Sequence, residues 1–167
     1  MQRPEVRPLR AEEVQLLRAL RLAALEDSPE QFGETLTFAL ARSDEEWHQM
    51  VANFTPPSPQ AVYVALLDAR AVGLVFATDD LADDYGGRVG GLWVAPQARG
   101  KGIGEALVRA GLSWARGANK LRVRLWVVPD TFGERLYRRV GFFSTGNQKC
   151  FPGDESRRIE EFQYELE

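Results

Sequence analysis

Leu92-Trp93-Val94-Ala95-Pro96-Gln97-Ala98-Arg99-Gly100-Lys101-Gly102-Ile103-Gly104 is the stretch whose reading decides the fold. It joins a β-forming segment, Arg88 to Ala95, directly to an amphipathic one, Gly102 to Arg116. The first N–H groups of a helix have no partner within it and lie at the positive end of its dipole. An anion such as a diphosphate placed there receives several main-chain hydrogen bonds. Gly100, Gly102 and Gly104 let the main chain approach such a group with no Cβ in the way, and Arg99 and Lys101 add positive charge, directly or as a field. A glycine-rich turn with solvated basic residues is the competing reading, and for an isolated G-x-G-x-G it is the commoner one. A Rossmann loop fits less well. It belongs in the first β–α–β unit of a parallel sheet, with an acid about 20 residues on. Here three β-forming segments precede the loop, and Leu121 to Val128 holds no acid. A P-loop is excluded because no Gly-Lys-Ser/Thr occurs.

Working outward, the upstream segments read as an antiparallel run. Val6 to Leu9 is a short strand. Leu17, Leu20 and Ala24 recur at helical spacing, so Ala11 to Leu25 is a helix, stopped by Asp27-Ser28-Pro29. Ser43 and Glu46 form a capping box, opening a helix with Trp47, Met50, Val51 and Phe54 on one face. Val62 to Leu67 and Val72 to Thr78 form a hairpin around Asp68 to Ala71. Downstream, Gly102 to Arg116 carries Ile103, Leu107, Ala110 and Trp114 on one stripe and stops at Gly117-Ala118-Asn119. Leu121 to Val128 is a strand, and its helical link to Arg88 to Ala95 implies a parallel pair. Thr131 to Val140 is a short helix, and Ile159 to Leu166 a last strand. The expected fold is mixed α/β: an antiparallel meander followed by a parallel β–α–β unit.

Composition narrows the class. At 167 residues, 44% of them apolar, the chain is expected to be a single domain over 1–167 with a sizeable core. No repeat or linker interrupts it, since Pro56-Pro57-Ser58-Pro59 is only a loop. The net charge of −3 offers no basic face for nucleic acid. No apolar run approaches the roughly 20 residues of a membrane span, and Met1 to Arg10 lacks the apolar stretch of a signal peptide. One cysteine and one histidine argue against a disulfide or a structural zinc and fit a cytoplasmic location.

Arg99-x-x-Gly102-x-Gly104, preceded by Val94-Ala95-Pro96, resembles the R/Q-x-x-G-x-G/A signature of the GNAT superfamily of acyl-CoA-dependent N-acyltransferases. A second resemblance lies downstream. The family's N-x-x-A-x-x-L-Y-x-x-x-G-F pattern is matched by Leu136, Tyr137, Gly141 and Phe142, with Asp130 in place of the usual asparagine and Gly133 in place of the usual alanine. The similarity extends diffusely from Val6 to about Leu166, and Leu25 to Gly33 also resembles a recurrent N-terminal segment of family members. The resemblance implies the GNAT fold, with acetyl-CoA as co-substrate, an amine as acceptor and no metal. Main chain from Gly100 to Gly104, including Lys101 and Ile103, would hold the pyrophosphate. The main chain of Trp93, Val94 and Ala95 would pair with the pantetheine arm like an added strand. Aspartate cannot donate when ionised, so Asp130 either loses a contact to CoA or caps the short helix, and the cap is preferred.

An amine attacks a thioester only when neutral, and the departing thiolate benefits from a proton donor. Tyr137 stands where the family keeps that acid, and a packed helix tyrosine is the alternative. A main-chain N–H near Val94 would hold the oxyanion. No general base is visible: Arg88 to Ala95 has no Asp, Glu or His, and Asp79, Asp80, Asp83 and Asp84 read as a solvated turn. A water chain then carries the proton. Phe32, Glu34 and Trp93 are candidate acceptor contacts, although Phe32 and Trp93 serve equally well as core. His48 reads as a surface residue, and Cys150, in a polar loop, is given no catalytic part. Two functions stand: an acetyl-CoA-dependent N-acetyltransferase acting on a small-molecule or peptide amine, monomeric or homodimeric, and a non-catalytic acyl-CoA-binding sensor or accessory module.

Overall fold

A computed structural model describes residues 3–167. Its elements are β1 (Glu5–Pro8), α1 (Val14–Asp27), α2 (Leu36–Leu40), α3 (Asp44–Asn53), β2 (Ala61–Leu67), β3 (Arg70–Asp79), β4 (Gly86–Val94), α4 (Ile103–Gly117), β5 (Arg122–Val127), α5 (Phe132–Val140), β6 (Phe143–Phe151) and β7 (Asp154–Glu165). The seven strands form one sheet in the order β1-β2-β3-β4-β5-β7-β6. β1 to β4 pair antiparallel, and β4 pairs parallel with β5 across the α4 crossover. The expected meander and β–α–β unit are therefore present.

Local chemistry sets the ends of the elements. α1 begins three residues later than the periodicity predicts, because the Glu13 carboxylate is spent outside the helix: it accepts from Arg7 Nη1 and from the Arg10 N–H, each at 2.8 Å. The capping box of α3 is present in both directions, Glu46 N–H to Ser43 Oγ at 3.1 Å and Ser43 N–H to Glu46 Oε2 at 3.0 Å. Along α4 the buried stripe is Ile103, Leu107, Val108, Gly111, Leu112 and Ala115, rotated from the expected one so that Ala110 and Trp114 flank it. Trp114 keeps its indole at the rim and donates to the Pro59 carbonyl at 2.8 Å.

α1 and α3 cover one face of the sheet, where Phe54 meets Phe76 edge-to-face at 5.1 Å. α4 covers the other, where a Cβ on Gly73 would stand 3.1 Å from Leu107 Cδ1. The core lies in both layers and includes Trp47, Leu74, Leu107, Leu125 and Phe162, all nearly inaccessible to solvent. Two elements were not anticipated. α2 is a single turn and a half, capped by Thr35, whose Oγ1 accepts from Phe38 N–H. β6 is polar and largely exposed, so it carries no apolar alternation, and Cys150 lies within it rather than in a loop.

Candidate active site

β4 and β5 pair only at Gly86↔Arg122, Gly87↔Val123 and Arg88↔Arg124. Beyond Arg88 the two strands diverge, although β4 runs on to Val94 and β5 to Val127. β4 also carries a bulge, with Gly91 at φ +62°, where a Cβ would sit 2.5 Å from Phe76 Cδ2. A strand that must curl away from its neighbour needs a residue free to take that conformation, and glycine supplies it. The divergence opens the sheet between two cavities.

The first cavity, about 520 Å³, lies at the N-terminus of α4. It is lined by Leu92, Trp93, Val94, Gly100, Gly102 and Gly104 together with Phe32, Phe132 and Leu136. The main-chain N–H groups of residues 100–105 find no acceptor among the described residues, and the first bond of α4 is Ala106 N–H to Gly102 O at 3.1 Å. Gly102 is the N-cap, at φ +79°, and a Cβ there or at Gly100 would meet nothing within 4 Å. At Gly104 a Cβ would stand 3.1 Å from Leu136 Cδ2, so its absence lets α4 and α5 close together. The loop thus presents a run of unsatisfied donors to open space at a dipole's positive end, and a diphosphate fits it.

The basic residues of the loop divide their roles. Arg99 Nε donates to the Val94 carbonyl at 2.9 Å and Arg99 Nη2 to Asp27 Oδ2 at 2.5 Å, so this side chain braces the strand end. Trp93 Nε1 donates to the same Asp27 oxygen at 2.9 Å. The hydrogen bond from Ser28, followed by the one from Trp93, holds the Asp27 carboxyl below its ordinary range. Trp93 is thereby pinned and 93% covered, and the sequence gives no sign of Asp27 as its partner. Lys101 is exposed and enters no ion pair among the described residues.

α5 supplies Tyr137, which is buried against Phe142 at 5.7 Å between ring centroids. Burial alone pushes its phenol well above the ordinary value, so it stays protonated across the physiological range. Its ring lies behind Gly133 and does not itself line either cavity. Asp130 is not the cap of this helix. It is exposed at φ +60°, and Thr131 caps instead, accepting from Glu134 N–H at 3.3 Å, while Glu134 reaches back to the Asp130 N–H. Threonine at Thr131 has the extended backbone that a cap requires, and Asp130, one residue earlier, does not.

The second cavity, about 490 Å³, lies on the α1/α3 face against Gly90, Gly91, Leu125 and Trp126. Glu34 lines it, whereas Phe32 lines the first cavity and stacks under Arg21. The acidic turn differs from expectation. Asp80 is buried and pairs with Arg88 at 3.2 Å, and Asp83 pairs with Arg122 and Arg124. These bonds anchor the turn to the paired ends of β4 and β5, so it is not merely solvated. Glu161 on β7 is a further buried acid that sequence reading missed. It accepts from Arg88 at 3.0 Å, Asn147 at 3.0 Å and Thr145 at 3.2 Å. Burial is the largest single influence and raises its pKa, but the hydrogen bonds from Asn147, Arg88 and Thr145 together outweigh it and hold Glu161 below its ordinary range. No cluster able to hold a metal ion occurs among the described residues, and no helix is long and apolar enough to cross a membrane. His48 is exposed, with Nδ1 2.7 Å from the Asp44 carbonyl.

A mixed seven-stranded sheet with helices on both faces, opening beside a helix start that offers partnerless N–H groups, defines a mixed α/β fold with a candidate anion site. Residues 19–142 match the model of the acetyltransferase (GNAT) family, and the chain belongs to that family. A mycothiol acetyltransferase of Thermobispora bispora is 34% identical over 140 residues, which cover 81% of this chain and 44% of that protein. The chain spans about half the length, or less, of the curated relatives it matches. Among solved structures, a GNAT-family acetyltransferase from Streptococcus pneumoniae superposes with a TM-score of 0.81 at 16% identity, over 99% of this chain and all of that one. Spermidine N-acetyltransferase from Vibrio cholerae, in complex with CoA and spermine, superposes with a TM-score of 0.76 at 16% identity, over 97% and 95%. At these identities the structural likeness speaks to fold.

Proposed function

We propose that the chain binds acetyl-CoA across the first cavity and transfers its acetyl group to a primary amine of a small molecule or peptide held in the second, by direct attack in a ternary complex. The observation that carries this is the run of partnerless N–H groups over residues 100–105, beside a strand edge left free by the β4/β5 divergence. The names of the curated relatives and the CoA bound in the Vibrio structure support an acetyl-CoA cofactor.

In this reading Gly100 to Gly104 take the pyrophosphate, with Lys101 adding charge. Trp93, Val94 and Ala95 line the pantetheine arm, and Arg99 keeps that strand end in place. Bound acetyl-CoA supplies an electrophilic thioester carbonyl. An N–H near Val94 polarises it, and Tyr137 is the proton donor, its burial keeping the phenol neutral until needed. Glu34 is occupied by Arg21 and Arg42, and Glu161 is held below its ordinary range by its hydrogen bonds, so water removes the amine proton. Asp130 is exposed just before α5 and is not among the residues lining the first cavity. A CoA-release assay across amines tests the proposal: CoA formed only when an amine is present supports it.

A non-catalytic acyl-CoA-binding module is the second reading. It is favoured by the position of Tyr137 behind the cavity wall and by the absence of a free acid or histidine lining the second cavity among the described residues. Tight CoA binding without release against a broad amine panel would select it.

A further inference from the structure

The second cavity carries a charge pattern that the overall composition conceals. Arg21, Arg42 and Arg88 line it together with a single carboxylate, Glu34. Arg21 gives Nε and Nη2 to Glu34 Oε2, each at 2.9 Å, and Arg42 gives Nη2 to Glu34 Oε1. Two guanidinium groups, with 13% and 16% of their side chains exposed, thus share one negative charge. Arg88 spends Nε on Asp80 and Nη2 on Glu161. In all three arginines Nη1 is enclosed by protein and has no acceptor among the described residues. Arg88 is matched by its two carboxylates, but Arg21 and Arg42 have Glu34 alone, so one positive charge is left over at the cavity wall, and a part-buried charge without a counter-ion is unfavourable.

The side chains are also held in place. The Arg21 guanidinium lies 5.2 Å from the Phe32 ring centroid and 5.7 Å from that of Phe76, and Arg42 lies 5.1 Å from the Trp47 ring. Fixed planar donors suit a planar acceptor taken in bidentate fashion. The remaining walls are apolar: Met50, Phe54, Phe76, Leu125 and Trp126.

We infer that the acceptor is a small primary amine bearing a carboxylate on an apolar body, with the carboxylate seated among Arg21, Arg42 and Arg88. This rests on the acetyl-transfer reading for the word acceptor, but the binding site stands on its own. The body packs against Phe54 and Phe76, and the amine points through the gap beyond Arg88 toward the α4 cavity. A polyamine is disfavoured, because it would add positive charge to a surplus of it.

The test is a calorimetric titration of the protein, with and without saturating CoA, using matched pairs: L-phenylalanine against 2-phenylethylamine, L-leucine against 3-methylbutylamine, and 4-aminobutyrate against butylamine. In at least one pair the carboxylated member should bind about tenfold or more tighter, the scale on which a site with fixed polar groups rejects an analogue lacking their partner. Glu34→Gln should tighten that ligand further by releasing both guanidiniums. Arg42→Gln should erase the discrimination while leaving CoA affinity unchanged, and if that variant does not fold, Glu34→Gln carries the test alone. Amines without the carboxylate binding as tightly in every pair would overturn the inference, as would a preference that Glu34→Gln leaves unaltered or weakens. A carboxylate preference in binding without CoA release from acetyl-CoA would uphold this site and remove the transferase reading instead.

Discussion

Gly102→Asp compared with Gly102→Asn separates folding from anion binding, because the added charge acts on the two with opposite signs. Gly102 is the N-cap of α4 at φ +79°, with nothing within 4 Å of a Cβ. Any non-glycine residue pays roughly 1–2 kcal/mol for that conformation, with aspartate and asparagine near the low end. In the absence of ligand, a carboxylate at a helix start recovers about 0.3–1 kcal/mol from the dipole. Apo Gly102→Asp should therefore be as stable as apo Gly102→Asn, or slightly more so. Toward a diphosphate the order reverses. A unit charge about 5 Å away costs about 0.8–3 kcal/mol for dielectric constants between that of water and that of a protein surface. At about 2 kcal/mol the dissociation constant for acetyl-CoA rises roughly thirtyfold. Urea unfolding of the apo proteins and calorimetric titration with acetyl-CoA measure the two effects. If Gly102→Asp and Gly102→Asn bind acetyl-CoA equally, the α4 N-terminus is not where the diphosphate sits.

Wild-type protein at acetyl-CoA 100 times its dissociation constant should gain about 2.7 kcal/mol of stability by mass action, and a melting temperature unmoved by millimolar acetyl-CoA would contradict cofactor binding. Tyr137→Phe keeps the contact with Phe142 and should slow the chemical step by about 10²–10⁴-fold with little change in acetyl-CoA affinity; an unchanged single-turnover rate would make Tyr137 a packing residue. The Glu161 carboxyl is held below its ordinary range, so its contribution to stability is present above the unfolded value near pH 4.3 and is lost as pH falls through the lower folded value. The stability gap between wild type and Glu161→Gln should thus be open at pH 7 and close in strong acid, and an equal gap at pH 7 and pH 3 would refute it. Gly91→Ala places a Cβ 2.5 Å from the Phe76 ring at φ +62°, and should cost about 2 kcal/mol or more, read by denaturant midpoint.

The glycine turn that joins β4 to α4 was legible in the sequence because its physics is local. Three glycines, a strand end and a helix start lie within 13 consecutive residues, and backbone rules act over that range. The meander and crossover followed from apolar periodicity for the same reason. What escaped is what the chain assembles from distant parts. Arg21, Arg42 and Arg88 come from α1, the turn after α2 and β4, and nothing in their spacing brings them to one cavity. Asp80 looked like one more acid in a polar turn, and only the sheet places it under Arg88. β6 was missed because an exposed strand with Gly146, Asn147 and Gln148 lacks an apolar face, although its pairing with β7 is extensive. At α5 the cap was assigned one residue early, a slip that neighbouring Asp and Thr invite.

The strand order has a consequence for how the molecule keeps to itself. The sheet ends in β1 on one side and β6 on the other. β1 is only four residues long and closes with Pro8, which has no N–H to offer. β6 is charged, polar and twice broken in register. Short, proline-ended or irregular margins are poor templates for a foreign strand, and so they guard against edge-to-edge aggregation. The stretch of β4 beyond Arg88 that β5 leaves unpaired lies within the sheet, still bonded to β3 on its other side, and not at a margin. Nonspecific β-pairing between copies is discouraged at the margins, while an extended strand edge stays available inside the sheet.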